Sequence, residues 1–408
     1  MGPGGRDRDG VWASCRRGAG ARIVGGMSAH LTSVRIDRSL LAGPVHVPVQ
    51  IRCGDGPPDG LPHALRDLDP ARIALVTDPG LPRGHAARVL RLLGAAAPTG
   101  VLWPDGDGPL VVPDGALAVA LGGSRVIEAA DRARYADGTR PALVRLPTTL
   151  RAMTDTALSV AGPAGRLATP ALVRIDLEYL ATLPPHRLRA GLAPLLRTVL
   201  AVVPASAGRV ASRLRPGGGY DPGTLASYVS LCLEARAALC SHDPLGRGPA
   251  AALRYGEPVA RAVRGLAGPG LPYGDALALG LRAAAAVSRR RGLLGPADEA
   301  AHEELLAAAG AARTLPEGIR PQALAAAATG GGEEARMVLL RGLGDPYAHH
   351  GSLLSPVSAE ELEAALAELV PAGRRIPVPD RDPDRARIRV PAGLDAGLPA
   401  TGGAVSRK

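Results

Sequence analysis

Four short apolar runs, each closed by turn residues, constrain this fold more than anything else in the chain. VHVPVQIRC at 45–53 alternates with a period of two, and ARIALVTDPGL at 71–81 runs apolar into a Pro-Gly turn. ALAVALGG at 116–123 ends in glycines and ALVRLPTT at 142–149 in threonines. Apolar runs bounded by turns suit strands buried on both faces. Between the second and third, HAARVLRLLGAAA at 85–97 has the spacing of an amphipathic helix. Strands alternating with helices predict an α/β domain with a mainly parallel sheet. Beyond the last run the texture changes. RLRAGLAPLLRTVLAVV, LASYVSLCLEARAALC, GDALALGLRAAAAVSRRRGLL and ADEAAHEELLAAAGAAR are Ala/Leu-rich with 3–4 spacing, and β-branched runs become rare. They predict an all-α C-terminal domain.

The flanks read differently. Residues 1–36 have loop composition and no sustained period, so disorder is expected, and Met27 is an alternative start. The α/β domain is placed at 37–175 and the helical domain at 176–370. VSAEELEAALAEL opens with a capping box, Ser358 followed three residues on by Glu361. From 371 to 408 the chain is Pro- and Arg-rich, a mobile tail. No internal repeat is visible.

At 408 residues and 46% apolar content the chain can bury a large core. No apolar run reaches the roughly 18 residues that span a bilayer, and the N-terminus lacks a signal-peptide block; a cytoplasmic protein without membrane association is expected. The net charge of +10 would ordinarily raise nucleic-acid binding. Here arginines are scattered through structured segments, Phe is absent and aromatics make up 2%, so no basic groove with stacking platforms emerges. Lys408 is the single lysine, a sign of GC-rich coding that explains Arg where Lys would serve. Cys15, Cys53, Cys232 and Cys240 form neither a C-x-x-C pair nor a zinc-ribbon spacing, and read as reduced thiols.

Local motifs carry little chemistry by themselves. Gly122 and Gly123 end a strand where bare backbone could approach a pyrophosphate, without a G-x-G-x-x-G pattern. HEELL at 302–306 has Leu306 where a zinc protease needs its second histidine, and reads as a solvated helix face. His349 and His350 read as a surface turn. Pro194 is the oddest residue: it falls inside the amphipathic stretch RAGLAPLLRTVL, where a helix interior would lose about 3 kcal/mol.

The order of segments says more. ALGGSRVIEAAD, LPTTLRAMTD, PALVRIDLEYLATLPPHRLRAGLA, LRYGEPVARAV and LPYGDALALGLRAAA follow one another in a sequence that resembles the 3-dehydroquinate synthase family of sugar phosphate cyclases. The family counterparts read approximately A-L-G-G-G-V-V-G-D, V-P-T-T-L-L-A-Q-V-D-S-S-V-G-G-K, I-D-T-L-x-T-L-P-x-R-E-x-x-x-G-L-A-E-V-I-K, L-N-F-G-H-T-F-G-H-A and L-x-H-G-E-A-V-A-x-G-M. The resemblance spans roughly residues 43–370. It implies a Rossmann-like N-terminal domain, a helical C-terminal domain and a cleft for NAD and a sugar-like substrate. The family's chemistry is transient oxidation of a ring alcohol, phosphate elimination and aldol closure to a carbocycle, assisted by a divalent metal, usually zinc.

Carried over position by position, the resemblance implies NAD contacts at Gly122, Gly123, Ser124, Glu128, Thr148, Thr149, Leu180 and Thr182. Ser124 replaces a family glycine there, and the G-E-x-x-K nucleotide motif is reduced to WPDGDGPL. The metal site departs altogether. Pro194 stands at the glutamate of G-L-A-E, Glu257 at the histidine of F-G-H-T and Tyr273 at the histidine of L-x-H-G-E, so no residue is assigned to a metal and zinc is not expected. Ala161 stands at a substrate lysine, the following loop is shortened to GPAGRLATP, and TGGGEEA replaces D-K-K; Arg197 and Arg236 take lysine positions and keep their charge. No catalytic residue is assigned. Two expectations follow: a divergent, impaired or altered carbon–oxygen lyase of specialised metabolism, or a non-catalytic pseudoenzyme. Its partners would be a sugar-like small molecule or nucleotide, and either a second copy in a homodimer or an active relative.

Overall fold

Strand β1 (Val34–Ala42) turns back on β2 (Val45–Cys53) through Gly43 and Pro44, with Ala42 paired to Val45. Gly43 takes φ 60°, the left-handed value that the first position of a two-residue hairpin turn needs. The tip is anchored: the Gly43 N–H donates to the carbonyl of Cys240 at 3.1 Å, at the end of the helix Pro222–Cys240. The hairpin thereby joins the sheet to the helical part. β1 begins at Val34, three residues inside the segment expected to lack structure; VRIDRSLLA alternates only in part, because Asp37 and Arg38 interrupt its apolar face.

The remaining strands are β3 (Arg72–Thr77), β4 (Thr99–Leu102), β5 (Ala116–Gly122), β6 (Leu143–Pro147) and β7 (Leu172–Asp176). They assemble in the order β1-β2-β7-β6-β5-β3-β4, antiparallel only at the β1–β2 pair. β5, β6 and β7 are buried at every position, so β5 runs apolar throughout, while β6 and β7 enclose Arg145, Arg174 and Asp176 among their apolar residues. All four strand-like runs of the sequence are strands, and the helix expected between them spans Arg83–Gly94.

This computed structural model describes residues 34–53, 60–105, 108, 110–162, 165–268 and 270–371. The N-terminal segment up to residue 33, with Cys15, and the tail from 372 onward lie outside them. The described residues up to Val370 belong to one compact unit. After β7 the described chain is largely helical, but it also carries two small ribbons, Glu334–Met337 with Ser355–Ser358 and Leu340–Gly342 with Asp345–Pro346. Segments of two to four residues leave too little periodicity for sequence reading, so the all-helical expectation missed them. The first half of the capping box is formed, the Glu361 N–H donating to Ser358 Oγ at 3.2 Å, while the Glu361 carboxylate turns to Arg291 instead of returning to the Ser358 N–H. No helix among the described residues is long and apolar enough to cross a membrane.

Two sequence readings are corrected. The stretch around Pro194 is not one helix but two, Pro185–Ala190 and Ala193–Ala201. Pro194 sits in the first turn of the second, where the missing N–H has no intrahelical acceptor and the fixed φ suits the helix, so the expected penalty vanishes. His302 is not on a solvated face. It is 2% exposed in the helix Pro296–Ala308 and hydrogen-bonded to the Tyr255 hydroxyl at 3.1 Å.

Candidate functional site

The C-terminal ends of β5 and β6 deliver adjacent turns, the place where open parallel sheets receive ligands. At the end of β5, Gly122 and Gly123 lead into the helix Ser124–Asp131; at the end of β6, Thr148 and Thr149 lead into the helix Leu150–Thr154. The two turns are in contact, since the Thr148 N–H donates to the Gly122 carbonyl at 2.9 Å. Packing alone calls for glycine at Gly122 and leaves little room at Gly123. A Cβ on Gly122 would lie 2.6 Å from Val126, and one on Gly123 would lie 3.3 Å from the Thr149 methyl. Thr149 caps its helix by accepting from the Ala152 N–H at 3.3 Å. Ser124 is buried, and its Oγ accepts from the Thr156 hydroxyl at 2.8 Å.

Leu180 and Thr182 stand elsewhere. They lie in the turn Leu177–Thr182 after β7, where Leu180 is buried and Thr182 contacts His85 Nε2 at 3.0 Å. His85 packs edge-on against Tyr179. Among the described contacts, Thr182 reaches the helix after β3 and not the paired turns of Thr148 and Thr149.

Glu128 extends the first cluster toward the helical part. Burial pushes its carboxyl upward, against the pull of Arg151 and Arg132. Its partner, the Arg151 guanidinium at 3.5 Å, lies over the ring of Tyr273, with Cζ 3.5 Å from the centroid. Arg264 approaches the same ring at 5.9 Å. Burial raises the Tyr273 hydroxyl above the ordinary tyrosine range, with Arg197 opposing it, so the phenol stays protonated and is a poor donor to a cation.

Below this ring the charges are locked together. Asp155 Oδ1 accepts from Arg197 Nη2 at 2.7 Å and from Arg236 Nη2 at 2.6 Å. Burial works against the carboxylate, yet the two guanidiniums overcome it and hold Asp155 below the usual aspartate range. Glu257 opens the helix Glu257–Ala267 and pairs with Arg261 at 3.3 Å and Arg254 at 3.8 Å. The three positions that correspond to family metal ligands thus occupy the first turns of three helices: Pro194 in Ala193–Ala201, Glu257 in Glu257–Ala267 and Tyr273 in Tyr273–Arg290. Their framework is tight. Gly256, at φ 77°, and Gly280 touch so closely that a Cβ on Gly280 would lie 2.0 Å from the Gly256 carbonyl oxygen, and a Cβ on Gly274 would lie 1.6 Å from that of Ala190.

This donor set does not fit a dication: Pro194 has no side-chain donor, the Tyr273 ring lies under Arg151, and Glu257 and Asp155 are each held by two arginines. Among the described residues, no group of three or more His, Cys, Asp or Glu side chains is arranged to hold a metal ion. Arg151 and Arg264 were missed in the sequence. The signal available was a charged side chain after the P-T-T-L motif, where the family continues with leucine.

No protein-family model matches the chain. Among curated proteins it is 31% identical over 269 residues to 2-deoxy-scyllo-inosose synthase of Streptomyces kanamyceticus, covering 62% of this chain and 68% of that one. It is 29% identical over 367 residues to the synthase of the same name from Streptoalloteichus tenebrarius, covering 80% and 93%. For the Streptomyces ribosidificus synthase the match is 34% over 188 residues, about half of that protein's length at 48%. Among solved structures, a 2-deoxy-scyllo-inosose synthase complexed with carbaglucose-6-phosphate, NAD+ and Co2+ superposes with a TM-score of 0.70 at 21% identity, over 82% of this chain and all of that one. The 2-epi-5-epi-valiolone synthase of Streptomyces hygroscopicus, with NAD+ and Zn2+ bound, gives 0.59 at 22% identity, over 80% and 97%. These two likenesses establish the fold.

Proposed function

Because the chain belongs to the sugar phosphate cyclases of the 3-dehydroquinate synthase-like family, we propose that it is a divergent member whose cleft binds an NAD-type nucleotide and a phosphorylated, sugar-like molecule without a divalent metal, and that it does not run the family's phosphate-eliminating cyclisation. The observation that carries this reading is the Arg151 guanidinium lying 3.5 Å over Tyr273, where a family ligand would stand. A guanidinium and a dication compete for such a place. At an effective dielectric constant of about 20 and a separation of about 5 Å, one arginine opposes a divalent ion by about 7 kcal/mol. Arg151, Arg197, Arg236 and Arg264 all bear on this region.

The same arginines favour an anion. Asp155 is shared by Arg197 and Arg236 and Glu128 pairs with Arg151, so the four guanidiniums exceed the two carboxylates, and Arg151 and Arg264 meet at Tyr273, where a phosphoryl group would complete the balance. For the nucleotide, the turn at Gly122, Gly123 and Ser124 would present backbone N–H groups to a pyrophosphate, with Glu128, Thr148 and Thr149 beside it; Leu180, buried, and Thr182, turned to His85, stand apart from that turn. When bound, NAD supplies a hydride acceptor; the chain's own residues would hold and orient it.

The test combines elemental analysis of the purified protein, calorimetric titration with NAD and with glucose 6-phosphate, and an assay for released phosphate. The expected result is substoichiometric metal, binding of both ligands unaltered by a chelator, and no phosphate release. Stoichiometric zinc or cobalt with chelator-sensitive phosphate release would overturn the proposal, and so would failure to bind either ligand.

A further inference from the structure

A second polar cavity, of about 220 Å³, opens at the other end of the sheet. It lies beyond the C-terminus of the Ser124–Asp131 helix, so the eight residues of that helix, about 12 Å, separate it from the Gly122–Gly123 turn. Asp131, Arg140, Pro141, Leu143, Leu167 and Thr169 line it. They come from the end of that helix and from the loops that enter β6 and β7.

The charge balance of this cavity is set by Arg145. Its side chain is 1% exposed, and Nη2 donates to Asp131 Oδ1 at 2.5 Å and to the Ala168 carbonyl at 3.1 Å. Nη1 donates to the carbonyls of Ala157 and Ser159. Asp131 is therefore neutralised from within the protein, and both terminal nitrogens of Arg145 are engaged there, leaving only its buried Nε without a partner. Arg140 is in the opposite position. Among the described residues no carboxylate lies within ion-pair distance of it, and the groups acting on it are Arg134, Arg145 and Arg166 against Asp131 alone. Burial first, and then those arginines, pull its pKa down. A partly desolvated guanidinium crowded by its own kind is stabilised most by a multivalent anion. The rest of the wall is of another character: Leu167 is 42% exposed at the rim, beside Pro141 and Leu143.

We propose that this cavity is a ligand site separate from the cleft and takes a small phosphomonoester, its phosphoryl group on Arg140 and its carbon skeleton against Pro141 and Leu167. Its size falls short of the roughly 300 Å³ at which sites for drug-sized ligands begin, which suits a phosphoryl group on a short skeleton and excludes a dinucleotide. Arginine is suited to such a ligand because its planar fork matches phosphate oxygens two at a time.

The test is phenylglyoxal labelling of arginines in the full chain, read by peptide mass spectrometry, with and without millimolar inorganic phosphate or glucose 6-phosphate. Labelling of Arg140 is expected to slow by about tenfold at about nine-tenths occupancy, while Arg341, exposed on a separate ribbon, labels at an unchanged rate. Protection by inorganic phosphate as well as by the ester shows that the phosphoryl group is sufficient; protection by the ester alone shows that the skeleton is needed. Both outcomes uphold the site. Equal labelling of Arg140 with and without both probes overturns it. Protection must also survive in Arg151→Ala, which perturbs the cleft only; its loss there would overturn the claim of a separate site. In Arg140→Gln the ester should retain its binding to the cleft and lose one equivalent of bound ligand by calorimetry, and an unchanged stoichiometry would likewise refute the proposal.

Discussion

Asp155→Asn is the substitution that probes the site most directly. In the native protein one carboxylate oxygen takes two charge-assisted hydrogen bonds, from Arg197 at 2.7 Å and Arg236 at 2.6 Å. The side chains of Arg197, Arg236 and Asp155 are 3%, 10% and 15% exposed, so water cannot replace the lost charge. An amide of the same shape leaves two guanidiniums with no counter-charge, and breaking a buried ion pair by removing one partner costs about 3–5 kcal/mol. At about 2.1 cal/mol/K of unfolding entropy per residue, a chain of 408 residues loses about 1.2 °C of melting temperature per kcal/mol, so the variant should melt about 4–6 °C lower. The pH dependence has a definite sign. Asp155 titrates below its ordinary range in the folded protein, so its stabilisation is full above about pH 4 and drains as pH falls through the depressed folded value. The acid limb of a melting-temperature profile should therefore be shallower in Asp155→Asn than in the wild type. Replacing all three residues, as Asp155→Leu with Arg197→Met and Arg236→Met, should recover most of the loss, since an apolar trio carries no uncompensated charge. If scanning calorimetry puts Asp155→Asn within about 1 °C of the wild type, the three groups are not a desolvated network, and the reasoning that fills the cleft with them fails.

The triple variant Pro194→Glu, Glu257→His, Tyr273→His should fold, because each position lies in a first helical turn that accepts these residues, yet bind no stoichiometric zinc while Arg151, Arg197 and Arg236 remain. Elemental analysis near one zinc per chain would refute this. His302 supplies an independent acid-sensitive element: burial, and then Arg282, lower its pKa to about 3. The unfolded chain therefore takes up a proton below about pH 6.5 that the folded one refuses, and stability falls by about 1.4 kcal/mol per pH unit below that point. His302→Leu should be less stable at neutral pH, with the Tyr255 hydroxyl left with only its long bond to the Leu281 carbonyl at 3.4 Å, but should lose stability less steeply between pH 6 and pH 4 in thermal melts; an identical slope would exclude His302 as the cause.

What could be read from the sequence follows the range of the forces involved. β5 and β6 were legible because strands buried on both faces are mostly apolar, a demand that one segment expresses by itself, whereas β7, with Arg174 and Asp176 among its five buried residues, was not read as a strand. Ser358 and Glu361 were legible because the capping-box pattern lies within four residues. β1 and the two small ribbons escaped because their stability comes from pairing partners and not from their own pattern. The paired turns at Gly122 and Thr148 were found through the resemblance, yet their close packing was not, since 26 residues of chain separate the two partners that meet at 2.9 Å.

Pro194 and Arg151 show how local and distant effects trade places. Read along the chain, the proline looked costly and the arginine unremarkable. In the fold the chain breaks at Gly191 and Leu192, the proline falls in a first turn where it costs nothing, and its carbonyl accepts the Thr198 hydroxyl at 2.9 Å. Arg151 meanwhile reaches Glu128 on one side and Tyr273 on the other, and so links the turn that would hold a nucleotide to the position that a metal ligand would occupy. On the proposed reading the proline removes one donor, whereas a guanidinium over Tyr273 sets a charge against any dication placed there. Arg151, more than Pro194, is then the residue whose replacement tests that reading.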